Sequence, residues 1–201
     1  DRAARRGAAW QAPRRARSRP VAPHPAGRAA RMSYSSRMFR RASILLSCAV
    51  LALGAVGIAL VLQHFFGMQP CAWCTFQRLL FLLVGACALA GWLASGRSRA
   101  AAVVLSALAG VAAMGGLWAA LHQQFVASQS QSCAFTFADR TLMKLRLDES
   151  LPWLFEATAS CSEANVPLWG LPFALWSAAL FMRLYSRARR DRSAAPGSKD
   201  A

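Results

Sequence analysis

Four stretches of this sequence are each long enough to cross a bilayer as a helix, and they are nearly free of charge: residues 43–65, 76–95, 101–121 and 168–185. A hydrocarbon core takes about 20 apolar residues as helix. The first stretch contains no Lys, Arg, Asp or Glu, and the second carries one charge near its start, Arg78. The third is rich in Ala and Gly, the fourth in Trp, Leu and Phe. A soluble bundle would show a polar stripe at the helical period. None of these stretches has one, so lipid is the expected surround. Gly54, Gly57, Gly110, Gly115 and Gly116 are expected to let helices approach closely. The expected fold is all-α: an integral membrane four-helix bundle.

Charge placement supports this reading. The net charge is +16 although 56% of residues are hydrophobic, a pairing that soluble domains rarely show. A nucleic-acid-binding domain carries basic residues along its folded elements. Here the arginines crowd before Ser43 and after Phe181, so lipid rather than nucleic acid is the expected partner. Lys and Arg in short flanks mark the cytoplasmic side. Arg37, Arg40 and Arg41 precede the first stretch, Arg97 and Arg99 separate the second and third, and Arg187, Arg189, Arg190 and Arg192 follow the fourth. All fall on one side of a four-span chain, which puts both termini in the cytoplasm. A short loop over residues 67–75 and a long one over 122–167 then lie on the outer side, which in a bacterial inner membrane is the periplasm.

The chain thus divides into a basic segment (1–42), a four-span domain (43–186) and a basic cytoplasmic tail (187–201). Residues 1–31 mix Arg, Ala and Pro without period. They read as a disordered tail or, by preference, as sequence upstream of a start at Met32. In the long loop, Leu151, Trp153, Leu154 and Phe155 form an apolar cluster. It either lies on the membrane, where Trp favours the headgroup region, or packs on its own aromatic residues.

Of the six cysteines, Cys48 and Cys87 fall within spans and read as packed thiols. Cys71 and Cys74 share the short loop, Cys133 and Cys161 the long one. Disulfides persist in oxidising compartments, and two cysteines per loop suggest two disulfides, each closed within its own loop. A Cys133–Cys161 bond would stabilise the fold by ~3.5 kcal/mol through chain entropy. A Cys71–Cys74 ring restrains almost no chain, so redox chemistry is the better use of that pair. Zinc is the competing use, but a structural site needs four ligands and a second close-spaced pair is missing. No metal is expected.

Cys74 falls at the start of the second span, where free N–H groups and the positive helix end favour a thiolate. Arg78 lies four residues on, ~6 Å along the axis and on nearly the same face. Basic anchors favour the cytoplasmic side, and charges within spans are usually functional. Arg78 is therefore read as a functional cation rather than a snorkelling anchor. Electrons from an oxidised dithiol need an acceptor. The sequence has no dinucleotide glycine fingerprint and no Cys-x-x-Cys-His haem site. A quinone arriving through the bilayer needs neither, and Arg78 would hydrogen-bond its carbonyl oxygen.

The run Leu62-Gln63-His64, Gly67 and Gln69-Pro70-Cys71-Ala72-Trp73-Cys74-Thr75-Phe76-Gln77-Arg78 resembles the signature of the disulfide bond formation protein B (DsbB) family. The four-span layout and the pair Cys133 and Cys161 match too. Leu168-Trp169-Gly170-Leu171-Pro172 with Trp176 matches less specifically. The resemblance covers the chain from about Arg40 to Arg187. It implies a disulfide-generating protein-thiol:quinone oxidoreductase whose substrate is reduced DsbA, a soluble periplasmic thioredoxin-like oxidase. The DsbA thiolate would attack Cys133. Cys161 would then pass into an interloop disulfide with Cys71, and Cys74, freed, would engage ubiquinone or menaquinone with support from Arg78. A histidine near the outer end of the third span also contacts quinone in the family. His122 holds that place here, where it reads equally as a helix-end histidine at the interface. His64 belongs to the signature run without a chemical role of its own.

Two other readings compete. The vitamin K epoxide reductase family shares the four-helix core and both cysteine pairs, but there the loop pair precedes the Cys-x-x-Cys. The opposite order here disfavours it. A structural membrane protein with inert disulfides is the alternative of a different class.

Overall fold

The computed structural model describes residues 25–129 and 136–193, with side chains from Phe39 onward. Helix α1 (Pro25–Phe66) is continuous, so the basic segment is helical from Pro25 on rather than irregular. Ala and Arg are both good helix formers, and the span behind them supplies a helix to extend. α1 ends at Gly67, whose φ of 65° is a left-handed conformation that glycine adopts without strain. Helix α2 (Ala72–Ala94) starts after Pro70, with Cys71 as its N-cap. Helix α3 (Arg99–Phe125) is capped by the Ser98 hydroxyl, which accepts from the Ala101 N–H at 3.3 Å.

The long loop is partly helical. A 3-10 turn (Ala127–Gln129) follows α3. Beyond it lie α4 (Phe137–Lys144), α5 (Leu147–Ser150) and α6 (Pro152–Phe155). The Thr136 hydroxyl caps α4 by accepting from the Asp139 N–H, and Asp139 and Lys144 sit at the helix ends that favour their charges. The apolar cluster of this loop is divided. Leu154 and Phe155 are buried in the bundle core, whereas Leu151 and Trp153 face outward.

The last expected span needs correcting. Residues 168–172 are not helical. Strands β1 (Pro167–Leu168) and β2 (Leu171–Pro172) form a tight antiparallel hairpin, turned at Trp169 and Gly170, which both have positive φ. That is the signature of a two-residue hairpin turn. Helix α7 (Phe173–Ser193) begins only after Pro172. Its charge-free run is residues 173–182, because Arg183 interrupts it. Among the described residues, three helical segments are long and apolar enough to cross a membrane: Phe39–Phe66, Ala72–Ala94 and Arg99–Gln129. α7 is not among them, because its second half is arginine-rich.

α2 and α3 pack closely, α7 lies against α3, and α1 covers α2 and α7. Ala52, Ala88 and Ala113 are fully buried, which lets backbones approach. Of the five glycines expected at interfaces, Gly116 has the tightest role: a Cβ there would collide with the Phe181 ring. Phe181 in turn stacks on Phe81, with ring centroids 3.8 Å apart. Gly110 lies against Arg192 and Ala188, while Gly54, Gly57 and Gly115 face open space. Outward side chains such as Val50, Ile58, Val104 and Val111 are apolar and exposed, as a lipid-facing surface requires.

The two ends of the bundle differ. At one end Arg41 pairs with buried Asp191 at 3.1 Å, Arg187 donates to the Ser47 hydroxyl at 2.7 Å, and the Ser106 hydroxyl donates to the Ala188 carbonyl at 3.2 Å. Cys71 follows the far end of α1, ~37 Å along the helix from Arg41 at 1.5 Å per residue.

Candidate active site

The start of α2 carries the chemistry. Cys71, the N-cap, has φ −89° and ψ 170° and is fully buried. Cys74 follows one turn later. The two sulfurs are 3.2 Å apart and both cysteines are free. The expected disulfide within the short loop is therefore replaced by a dithiol whose sulfurs share a hydrogen bond. The bond with Cys74 and then burial raise the Cys71 pKa well above that of an ordinary thiol. The Thr75 hydroxyl donates to the Ala72 carbonyl at 2.9 Å, fixing the first turn around the pair.

Cys161 is fully buried and disulfide-bonded. Cys133 lies outside the described residues. Cys161 and Cys71 belong to one packed cluster with Trp73, Phe76 and Ala119. Backbone bonds tie the two loops together there, from the Thr158 and Ala159 N–H groups to the Pro70 carbonyl at 3.0 and 3.2 Å. The Thr158 hydroxyl also donates to Gln69. The turn holding Cys161 is closed by Glu163, which accepts from the Ser160 N–H at 2.9 Å and from its hydroxyl at 2.7 Å. These bonds hold the Glu163 carboxyl below its ordinary pKa.

Polar side chains surround Cys74. Gln123 of α3 donates from Nε2 to its sulfur at 3.1 Å, and Gln77 donates to the Gln123 Oε1 at 2.5 Å. Buried Arg78 donates from Nη1 to the Gln63 Oε1 at 2.5 Å and to the Leu154 carbonyl at 3.0 Å. His64 donates from Nε2 to the Trp153 carbonyl at 3.1 Å, since a carbonyl can only accept. His64, without a role in the sequence, is thus a tie between α1 and α6.

A cavity of about 510 Å³ opens beside the pair. Cys74, Gln77 and Arg78 contribute to its wall together with Phe81, Trp169 and Trp176, among mostly apolar neighbours. The Trp176 indole N–H donates to the Leu168 carbonyl at 3.1 Å, and Trp169 and Trp176 meet edge to face. Cys74 and Arg78 are therefore brought to one site as expected. His122 is not: it stacks between Trp73 and Trp118, at 4.5 and 5.2 Å, and does not line the cavity. Its neighbour Gln123 reaches the cysteine instead. Among the described residues no group of three or more His, Cys, Asp or Glu is arranged to hold a metal ion.

A dithiol at the mouth of a helix of membrane-spanning length, beside an apolar cavity, defines a membrane thiol redox protein. Residues 40–186 match the family described as disulfide bond formation protein DsbB, and the chain belongs to that family. Similar proteins include disulfide bond formation protein B of Ralstonia nicotianae, 32% identical over 73% of this chain and 87% of its own length. The disulfide bond formation protein B 1 of Pseudomonas savastanoi pv. phaseolicola is 31% identical over 71% of this chain and 84% of its own. Disulfide bond formation protein B of Nitrosospira multiformis is 31% identical over 71% of this chain and 85% of its own. The chain is a disulfide-forming oxidoreductase of the membrane.

Proposed function

We propose that the protein reoxidises a periplasmic thioredoxin-like thiol oxidase of the DsbA type and passes the electrons to a membrane quinone. The observation that carries this reading is that Cys74 and Arg78 share the wall of one largely apolar cavity. Its volume suits a small organic ligand. The residues fit a quinone: aromatic and aliphatic walls for the ring and tail, and a buried cation beside the reacting sulfur. When bound, a quinone supplies a two-electron acceptor soluble in the bilayer.

The roles of the chain's own groups follow. Cys71 and Cys161 expose no surface, so a protein partner's thiolate is assigned to Cys133. Two electrons enter the Cys133–Cys161 pair as the partner's dithiol becomes a disulfide. Cys161 hands them on by exchange with Cys71, its neighbour in the same packed cluster. This leaves Cys74 as a thiolate at the cavity, where Arg78 holds the negative charge. His122, stacked outside the cavity wall, serves by packing Trp73.

In the same reading α7 is the fourth span, with long arginines carrying their charge to the headgroups. The Arg41–Asp191 end faces the cytoplasm and the cysteine end faces the periplasm of a bacterial inner membrane. The test is turnover of purified protein in lipid nanodiscs with a reduced DsbA-type protein and added ubiquinone or menaquinone. Oxidation should require both and vanish in Cys74→Ser. Turnover independent of quinone would reject the proposal.

A further inference from the structure

We infer that Gln123, aligned by Gln77, is the donor that holds the Cys74 sulfur as the thiolate of the reduced pair, making the two cysteines unequal before any partner or acceptor arrives. This deepens the proposed function and rests on its assignment of Cys71 and Cys74 as the redox pair.

The geometry carries the assignment. The Gln123 Nε2 lies 3.1 Å from the Cys74 sulfur, and its Oε1 accepts from Gln77 at 2.5 Å. Both glutamines are almost completely buried. An amide has one accepting end and one donating end. With its oxygen engaged by Gln77, Gln123 turns its NH₂ toward the sulfur. The Cys74 sulfur also lies 3.2 Å from that of Cys71. A sulfur receiving the amide N–H is left to accept from the Cys71 S–H as well, so the proton stays on Cys71. The cation of Arg78, one turn further along α2, favours the same distribution.

Reduction of the Cys71–Cys74 disulfide by two electrons and one proton then gives a Cys71 thiol and a Cys74 thiolate. Stabilising that product makes the disulfide a stronger oxidant. Gln77 is a positioning residue: it touches neither sulfur but fixes which end of Gln123 does. The pairing is not legible in residue order, because Gln77 and Gln123 are on different helices and meet only through the packing of α2 on α3.

The test needs neither the protein partner nor quinone. Reduced full-length protein in nanodiscs is pulsed with iodoacetamide at pH 7, and Cys74 alkylation is followed by mass spectrometry. In Gln123→Met, loss of one charge-assisted hydrogen bond lowers the thiolate population about tenfold. The greater nucleophilicity of the more basic sulfur offsets part of this, leaving alkylation about threefold slower. In a chain with Cys133→Ser and Cys161→Ser, the reduction equilibrium of Cys71–Cys74 against dithiothreitol should fall about tenfold, or ~30 mV. Gln77→Met should move both readouts the same way by less, and it carries the test if Gln123→Met fails to fold. Unchanged or faster alkylation in a folded variant would overturn the inference, faster alkylation meaning that Gln123 accepts from a Cys74 thiol. Quinone-dependent turnover surviving that result would leave the proposed function standing, and its absence with slowed alkylation would reject only the proposed function.

Discussion

The Arg78 guanidinium and the Leu154 carbonyl are joined at 3.0 Å, linking the helix that carries the cysteine pair to the short helix α6 of the long loop. The same nitrogen donates to Gln63 near the end of α1. One buried cation therefore holds three segments together at the edge of the cavity. His64 adds a parallel tie to the neighbouring carbonyl of Trp153.

Arg78→Ala should accordingly have two effects. Losing a charge-assisted hydrogen bond costs ~1.5–3 kcal/mol, about ten- to a hundredfold in rate if it acts fully in the transition state. The loss should appear in the quinone dependence of turnover, with exchange at the protein partner largely kept. Hydrogen exchange of residues 151–155 should also accelerate. Arg78→Lys should restore only part, since lysine keeps the charge but not the planar fork. Unaltered quinone dependence in a folded protein would return Arg78 to a purely structural role.

The α3–α7 contact should be sensitive to shape. Phe181 is fully buried, stacked on Phe81 and seated over Gly116. Phe181→Ala should destabilise by ~3–5 kcal/mol. Gly116→Leu should also destabilise, because its side chain would enter the space of the ring. Unfolding of both variants in nanodiscs checks this, and a Gly116→Leu protein as stable as the parent would contradict the packing.

Much of this was legible in the sequence, and the misses have physical causes. Charge-free runs of span length reveal α1, α2 and α3 because lipid tolerates little else. The same rule misplaced the start of the fourth helix: residues 168–172 are apolar, but Gly170 turns a hairpin and Pro172 closes its second strand before α7 begins, and hydrophobicity hid both. Spacing singled out Cys71, Cys74 and Arg78 because steps of three and four residues keep them on nearly one helix face over two turns. It could not tell a dithiol from a disulfide, since redox state is not written in residue order. Nor could it find Gln123. Consecutive helical residues point about 100° apart, so His122, which the resemblance singled out, marks a different face of α3 from the one Gln123 presents to Cys74.

Acidification should loosen the turn that carries Cys161. Ser160 holds the Glu163 carboxyl below its ordinary pKa, so the stabilisation is present above the ordinary carboxylate range and is lost as pH falls through the lowered value. The site is exposed, so the effect is local. Hydrogen exchange at residues 160–164 should show an acid-induced opening beyond the intrinsic pH trend. Glu163→Gln should lack that pH dependence, and a pH dependence identical to the parent's would remove Glu163 from the turn's stability.

Sidedness can be read with single cysteines in exposed connections, in a chain otherwise free of reactive thiols. A membrane-impermeant maleimide added to spheroplasts should label Ser150→Cys of the long loop and leave Gly96→Cys, between α2 and α3, unlabelled. The reverse pattern would invert the proposed orientation.

The most direct test of quinone-linked disulfide formation is the thiol state of Cys71 and Cys74 in cells, trapped by acid quenching and alkylation, with the quinone pool oxidised or depleted. We expect the pair to be mostly disulfide-bonded, to Cys161 or to each other, when oxidised quinone is plentiful, and to accumulate as free thiols within minutes when it is exhausted. Cysteines that keep one state through both conditions would contradict it.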